Sequence, residues 1–231
     1  MNLKNIALIS SLSLLTASAA FAEGQMPEPD NTGFFIAGSI GNSVGPQTIA
    51  VDASGFGVTA YAGSNQGTRV NTSLYTLGYF GALAEIGYNF MENFGVEAYG
   101  AYLGQQKSLN GTVTMASELQ SVKLTSWVFG GNLLGYIPLA DHTVDIILKL
   151  GLGGMYSKIS AGGTNFTNNL GRSFNTTQGI YDFGVGGQYY YTDDVTFRAS
   201  WDQFSRWSQS GGIANLRYNL FTLGVDYHFT I

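Results

Sequence analysis

The sequence has no cysteine, and only 11% of its 231 residues are charged. Without cysteine the chain forms neither a disulfide framework nor a thiolate metal site, two devices common in small secreted proteins. Soluble domains carry about 25% charged residues, so much of this chain must face something other than water. The net charge of −5 argues against nucleic-acid binding, which needs a basic surface.

Long apolar runs are also missing. After Leu15 no uninterrupted apolar stretch reaches the roughly 18 residues of a membrane-spanning helix. Apolar residues are instead spread along the chain, which is also rich in glycine (32 residues) and aromatics (14%). This distribution is typical of strands that alternate between a lipid-facing side and a lumen-facing side.

The first residues indicate export. Lys4 precedes an apolar run over 6–15, and small residues follow, ending in Ala20-Phe21-Ala22. This is the secretory pattern with an A-x-A cleavage site, and its apolar run is too short for a membrane anchor. The predicted organisation is a signal peptide over 1–22, a periplasmic segment over 23–32 and a membrane barrel over 33–231.

Polar gaps of two lengths separate the alternating segments. Short gaps lie at 91–93, 140–142 and 192–194, whereas long gaps lie at 42–77, 105–121, 160–178 and 208–215. Short and long gaps take turns, as periplasmic turns and external loops do in outer-membrane barrels. Counting the segments predicts a closed, antiparallel, all-β barrel of eight strands.

The alternation assigns each strand two faces. In the second strand, Phe80, Ile86 and Phe90 share one face, while Glu85 and Asn89 share the other. A lysine or arginine facing lipid at mid-membrane costs about 2–4 kcal/mol, so the charged face must line the lumen. The fourth strand changes its apolar parity across Gly130-Gly131, which predicts a β-bulge there or else a different register.

Aromatic residues gather near the strand ends, which predicts two interfacial girdles. Near the long gaps they are Tyr102, Trp127, Tyr156, Trp201 and Trp207. Near the short gaps they are Tyr88, Phe90, Phe94, Tyr136, Tyr189, Tyr191, Tyr227 and Phe229.

Several motifs together resemble the transmembrane domain of outer membrane protein A and related eight-stranded barrels. The similarity covers nearly all of the predicted barrel. It runs through Asp30-Asn31-Thr32, Gly95-Val96-Glu97-Ala98-Tyr99-Gly100, Leu134-Gly135-Tyr136, Val144-Asp145-Ile146, Leu152-Gly153-Gly154-Met155, Arg198-Ala199-Ser200-Trp201-Asp202 and Leu223-Gly224-Val225-Asp226-Tyr227.

The resemblance implies a charged network inside the barrel. It pairs Glu97 with Arg198, and Lys149 with Asp145, Glu85 or Asp182. The predicted interior set is Glu85, Glu97, Asp145, Lys149, Asp182, Arg198, Asp202, Asp226 and His228. We expect this network to fix the barrel, the alternative being a path for ions or protons.

Two departures from the family pattern limit what carries over. Outer membrane protein A has a periplasmic peptidoglycan-binding domain after its barrel, whereas this sequence stops at Ile231, so we do not expect that anchoring role. The C-terminal assembly signal of the family often ends in phenylalanine, whereas here Tyr227, Phe229 and Ile231 form the predicted signal.

Three functions are compatible with these features. We favour a surface protein of the Gram-negative outer membrane, whose loops mediate adhesion or host contact and whose barrel supports envelope integrity. The alternatives are a narrow pore of low conductance and a lipid-modifying enzyme. We expect no catalytic site, metal or cofactor, because neither His142 nor His228 lies in a serine-hydrolase motif. The expected partners are outer-membrane lipid and lipopolysaccharide, the barrel assembly machinery and a host-surface ligand of the loops.

Overall fold

The computed structural model describes residues 32–46, 48–52, 69–73, 79–107, 121–139, 143–162, 172–207, 213–214 and 216–229. The strands are β1 (Gly33–Val44), β2 (Thr48–Asp52), β3 (Arg69–Ser73), β4 (Tyr79–Met91), β5 (Phe94–Lys107), β6 (Ser121–Leu139), β7 (Val144–Gly162), β8 (Arg172–Tyr190), β9 (Val195–Arg206), β10 (Ile213–Ala214) and β11 (Arg217–Phe229). Among these residues no helix is long and apolar enough to cross a membrane.

Eight of the strands form a closed barrel in the order β1-β11-β9-β8-β7-β6-β5-β4, and every neighbouring pair is antiparallel. This confirms the predicted fold and strand number. The first and last barrel strands pair from Phe34 opposite Phe229 to Val44 opposite Asn219. Closure leaves no unpaired sheet edge, which a barrel in lipid requires.

The two faces of the barrel have the predicted polarity. Residues of β1 and β5 alternate strictly between buried and exposed over most of their length. Large apolar side chains cover the outside, and Leu133 and Leu150, which face each other across β6 and β7, are each 63% exposed. The alternation therefore marks the lipid-facing surface, as expected from period two.

The fourth barrel strand, β6, has no bulge at Gly130-Gly131, so that prediction was wrong. Its pairing with β7 runs without a shift from Ser121 opposite Gly162 to Leu139 opposite Val144. Leu134 and Tyr136 have the other parity because they point inward into an apolar part of the lumen. The register shift between β5 and β6 lies instead near Gly104, whose φ of 81° suits glycine at a bulge.

The long gaps are not entirely loops. Strands β2 and β3 fall in the first gap and β10 in the last, and together they form a separate sheet in the order β10-β2-β3. The strands β5, β7 and β8 also run into the second and third gaps. These stretches were predicted as loops because the gaps that contain them are rich in Gly, Asn, Ser, Thr and Gln. The short gap at 140–142, the predicted signal peptide 1–22 and all of the predicted segment 23–32 except Thr32 lie outside the described residues.

Candidate functional site

The lumen is the first candidate site, and inward side chains fill it in three layers. Along β7, from the end with short turns to the end with long connections, the buried side chains are Asp145, Ile147, Lys149, Met155, Ser157 and Ile159. Apart from Asp145 and Ser157, which are polar, they fall into the three layers. This sequence passes from a small apolar layer through a charged layer to a large apolar layer. In outer-membrane barrels the short turns face the periplasm, so the large apolar layer lies at the external end.

Lys149 is the centre of one half of the charged layer. Its ammonium group forms an ion pair and a hydrogen bond with Glu85. It also lies 3.4 Å from Glu97 Oε1 and 3.6 Å from Asp202 Oδ1. Asn132 Nδ2 donates a 2.8 Å hydrogen bond to the same Glu97 oxygen. The lysine is 1% exposed, so these carboxylates replace the water it loses.

Arg198 is the centre of the other half. Its Nη2 lies 2.5 Å from Asp226 Oδ2, and its Nη1 lies 3.3 Å from Glu85 Oε2 and 3.8 Å from Glu97 Oε2. The guanidinium group also lies over the ring of Phe35, 5.4 Å from its centroid. Glu85 and Glu97 contact both cations, so the two halves are one network.

The structure divides the interior set predicted from the sequence. Six residues come together in the charged layer: Glu85, Glu97, Lys149, Arg198, Asp202 and Asp226.

The other three interior residues have different partners. Asp145 accepts hydrogen bonds from Tyr190 Oη at 2.7 Å and Gln188 Nε2 at 3.1 Å, and the described residues show no ion pair from it to Lys149. Asp182 is buried close to Asp202 and Tyr99. The ring of His228 packs 5.7 Å from that of Phe35.

The external apolar layer is a plug that sequence reasoning missed. We call it the external plug, and its residues are Leu83, Tyr99, Ala101, Leu103, Leu124, Val128, Met155, Ile159, Ile180, Phe204, Leu216, Tyr218 and Leu220. Four polar side chains in and beside it are hydrogen-bonded to one another. Ser126 Oγ lies 2.8 Å from Tyr218 Oη and 3.0 Å from Ser157 Oγ, and Tyr218 Oη donates to Gln106 Oε1 at 3.3 Å.

The signal for the plug is an inversion of polarity along the strands. On β6, Trp127, Phe129 and Leu133 are exposed apolar residues, whereas nearer the external end Lys123 is exposed and Leu124 is buried. The outer face of the strand thus changes from apolar to polar at Trp127. Water surrounds the barrel above this level, so the strands there take the pattern of a soluble barrel.

A filled lumen predicts that the protein does not conduct. The charged layer lies between the external plug and a second apolar cluster of Phe35, Ala37, Leu134, Tyr136 and Ile147. An eight-stranded barrel is just wide enough for its side chains to fill it. We therefore expect no steady current from folded protein in planar lipid bilayers. Large, stable channel currents from protein with the unboiled gel mobility of a folded barrel would contradict this.

Aromatic side chains ring the periplasmic end of the barrel. Tyr88, Phe90, Phe94, Tyr191, Tyr227 and Phe229 are exposed on the outer surface, and Tyr189 is partly exposed. Tyr136 was predicted to join them, but it is buried in the lumen and donates to Asn89 Oδ1 at 3.1 Å, so this prediction was wrong. Of the predicted assembly signal, Ile231 lies outside the described residues.

At the external end the aromatic residues form a row across three strands. The rings of Tyr102 on β5 and Trp127 on β6 lie 4.6 Å apart, and Tyr156 on β7 is directly opposite Trp127. Trp201 Nε1 donates to Asn219 Oδ1 at 3.2 Å. Within the described ranges no group of three or more histidine, aspartate and glutamate side chains is placed to hold a metal ion.

Comparisons with known proteins agree with this architecture. OprG, an outer membrane protein of Pseudomonas aeruginosa, superposes with a TM-score of 0.56 at 13% identity, covering 88% of this chain and 99% of that one. Neisserial surface protein A superposes with a TM-score of 0.52 at 13% identity, covering 86% and 98%. No curated protein sequence matches the chain significantly.

The sequence profile described as outer membrane protein beta-barrel domain matches residues 10–229. This match spans nearly the whole sequence and agrees with the eight-stranded closure and the lipid-facing apolar surface. The chain therefore belongs to the outer membrane protein beta-barrel domain family and is a small barrel of the Gram-negative outer membrane.

Proposed function

We propose that the barrel is a closed support for its external segments, which contact surfaces outside the cell, and that it also strengthens the envelope. The observation that carries this proposal is the filled lumen. Because two apolar layers block the lumen, the barrel can contact a ligand at its external rim but cannot pass one along its axis. Binding in proteins is concentrated on connections held by a rigid scaffold.

The small sheet β10-β2-β3 supports a binding role for the first external segment. It pairs Ile213 with Val51 and Ala214 with Ala50, which joins the last external connection to the first. The hairpin β2-β3 pairs from Thr48 opposite Ser73 to Asp52 opposite Arg69. Two external segments that share a sheet present one ordered surface, and ordered surfaces bind with a smaller entropic cost.

A non-enzymatic role is part of this proposal. His228 packs against the rings of Phe35 and Tyr190, with centroids 5.7 and 6.3 Å away. A general base must instead lie within hydrogen-bond reach of a nucleophile. We therefore expect an unmodified lipid A profile when the protein is overexpressed.

The test is adhesion of a non-adherent bacterial strain that expresses the protein. We expect the wild type to bind host cells or matrix proteins. Replacing residues 48–73 with a short Gly-Ser linker should reduce binding to the level of the empty vector, because it removes the hairpin β2-β3. Unboiled gel mobility would establish that the shortened protein still folds.

A matched control changes the other end of the barrel. Glu92 lies in the periplasmic turn between β4 and β5, so Glu92→Gln should bind as the wild type does. A folded wild type that binds no better than the empty vector would contradict the contact role and leave the envelope role. Equal binding by the wild type and the 48–73 variant would show that the contact site lies outside the small sheet.

A further inference from the structure

Positive charge is concentrated at the external end of the barrel. Lys149 and Arg198 are in the lumen, whereas the other cations of the described strands lie towards the external end: Arg69, Lys107, Lys123, Lys158, Arg172, Arg206 and Arg217. The periplasmic turns instead carry Glu92, Asp193 and Asp194. Among the described residues, the two rims therefore carry opposite net charge.

Three of these cations form a patch on the outer wall. Lys107 on β5 lies directly opposite Lys123 on β6, and Lys158 on β7 lies opposite Thr125, two residues along β6 from Lys123. All three side chains are exposed on the outer face. We call Lys107, Lys123 and Lys158 the lysine patch.

The lysine patch is unfavourable without an added anion. Like charges directly opposite each other destabilise an antiparallel pair of strands, and Lys107 and Lys123 are such a pair. The ion pairs among the described residues all join Lys149 or Arg198 to carboxylates, and none involves the patch. A bound anion would remove this repulsion.

The patch lies just above the membrane boundary. Lys123 precedes Trp127 by four residues on β6, and Lys158 follows Tyr156 by two on β7. At a rise of about 3.3 Å per residue, the lysines stand roughly 13 and 7 Å along the strands from the aromatic row. Below that row the wall is apolar and faces lipid, with Leu150 63% exposed. The lysines are therefore at the depth of lipid phosphate groups.

We propose that the lysine patch binds the phosphate groups of the outer-leaflet glycolipid, the lipid A portion of lipopolysaccharide. Lysine is a common phosphate ligand, and basic residues beside a membrane attract anionic headgroups. Gln105 Nε2, which donates to Thr125 Oγ1 at 3.3 Å, adds polar groups between the lysines.

The apolar wall below the lysine patch favours a lipid over a soluble anion as its ligand. Phe129, Leu133 and Leu152 are exposed on the strands that carry Lys123 and Lys158, and acyl chains of the same ligand would cover them. A soluble polyanion would leave this wall unused. The proposal does not depend on adhesion by the external segments.

The test is a titration of folded, full-length protein in detergent micelles with fluorescent lipopolysaccharide. Replacing all three lysines with glutamine keeps most of each side chain but removes its charge. Because each lysine should contribute about fivefold to the affinity, the triple variant should bind lipopolysaccharide about 100-fold more weakly than the wild type. The matched control replaces the same residues with arginine, which keeps the charge, and should bind within a few-fold of the wild type.

Two further probes separate the sources of phosphate. Dephosphorylated lipopolysaccharide should bind the wild type as weakly as intact lipopolysaccharide binds the glutamine variant. Inorganic polyphosphate, which has no acyl chains, should bind the wild type far more weakly than lipopolysaccharide does. Equal affinity of the wild type and glutamine variant, or tight binding of the dephosphorylated form, would overturn the site. Polyphosphate binding as tight as that of lipopolysaccharide would overturn the glycolipid assignment.

Discussion

Replacing Arg198 with alanine should lower the free energy of unfolding of the barrel by about 3–5 kcal/mol, the range for breaking one side of a buried ion pair. The arginine is 3% exposed and lies within 4 Å of Asp226, Glu85 and Glu97. Without it, Asp226 loses the 2.5 Å contact to Nη2 and remains buried in the lumen. We expect this loss of stability and no loss of a transport activity.

The measurement is urea unfolding of protein refolded into lipid vesicles, followed by gel mobility. Arg217→Ala is the matched control, because Arg217 is exposed on β11 next to the same strand β9. An exposed surface substitution should change stability by less than about 0.5 kcal/mol. The double variant Arg198→Ala/Asp226→Asn should recover part of the lost stability, because it no longer has an unpaired carboxylate at position 226. Equal midpoints for the two alanine variants would contradict a stabilising role for the network.

Replacing Leu150 with arginine should destabilise the folded barrel by about 2–4 kcal/mol through the cost of placing a cation in the bilayer centre. Leu150 is 63% exposed and lies midway along the outward apolar residues of β7, between Leu133 on β6 and Phe183 on β8. The same strand carries exposed Lys158 further towards the external end, where water replaces lipid.

The control places the same cation above the membrane boundary. Ser173 is exposed on β8 near its external end, so Ser173→Arg should leave the midpoint of urea unfolding almost unchanged. A similar loss for both variants would show that the cost comes from the strand and not from the lipid. No loss for Leu150→Arg would contradict the assignment of the lipid-facing belt.

The faces of the strands could be predicted from the sequence because lipid imposes a simple rule on every second residue. Leu150 and Lys149 are neighbours with opposite surroundings, and period two alone separates them. The rule failed at Leu134 and Tyr136, which are apolar but point inward. An apolar residue in a barrel strand can face lipid or an apolar layer of the lumen, and the two environments look alike in the sequence.

The partners within the lumen could not be predicted. Glu85 on β4 contacts Arg198 on β9, and these strands are not neighbours in the barrel. Such contacts depend on the tilt of the strands and on the length of each side chain, which period two does not determine. The external plug was missed for a different reason: inward apolar residues such as Leu124 and Ile159 look in the sequence like lipid-facing ones.

The pairing of β1 with β11 joins the two barrel strands that lie furthest apart in the sequence. The two ends of the described barrel must meet along the whole seam from Phe34–Phe229 to Val44–Asn219 before the cylinder is complete. Contacts between distant parts of a chain form slowly because the loop between them loses entropy first. Until β1 and β11 have paired with each other, both are edge strands that can pair with other chains. Closing this seam should consequently be a slow step of folding, and a folding catalyst that holds β1 and β11 would act at that step.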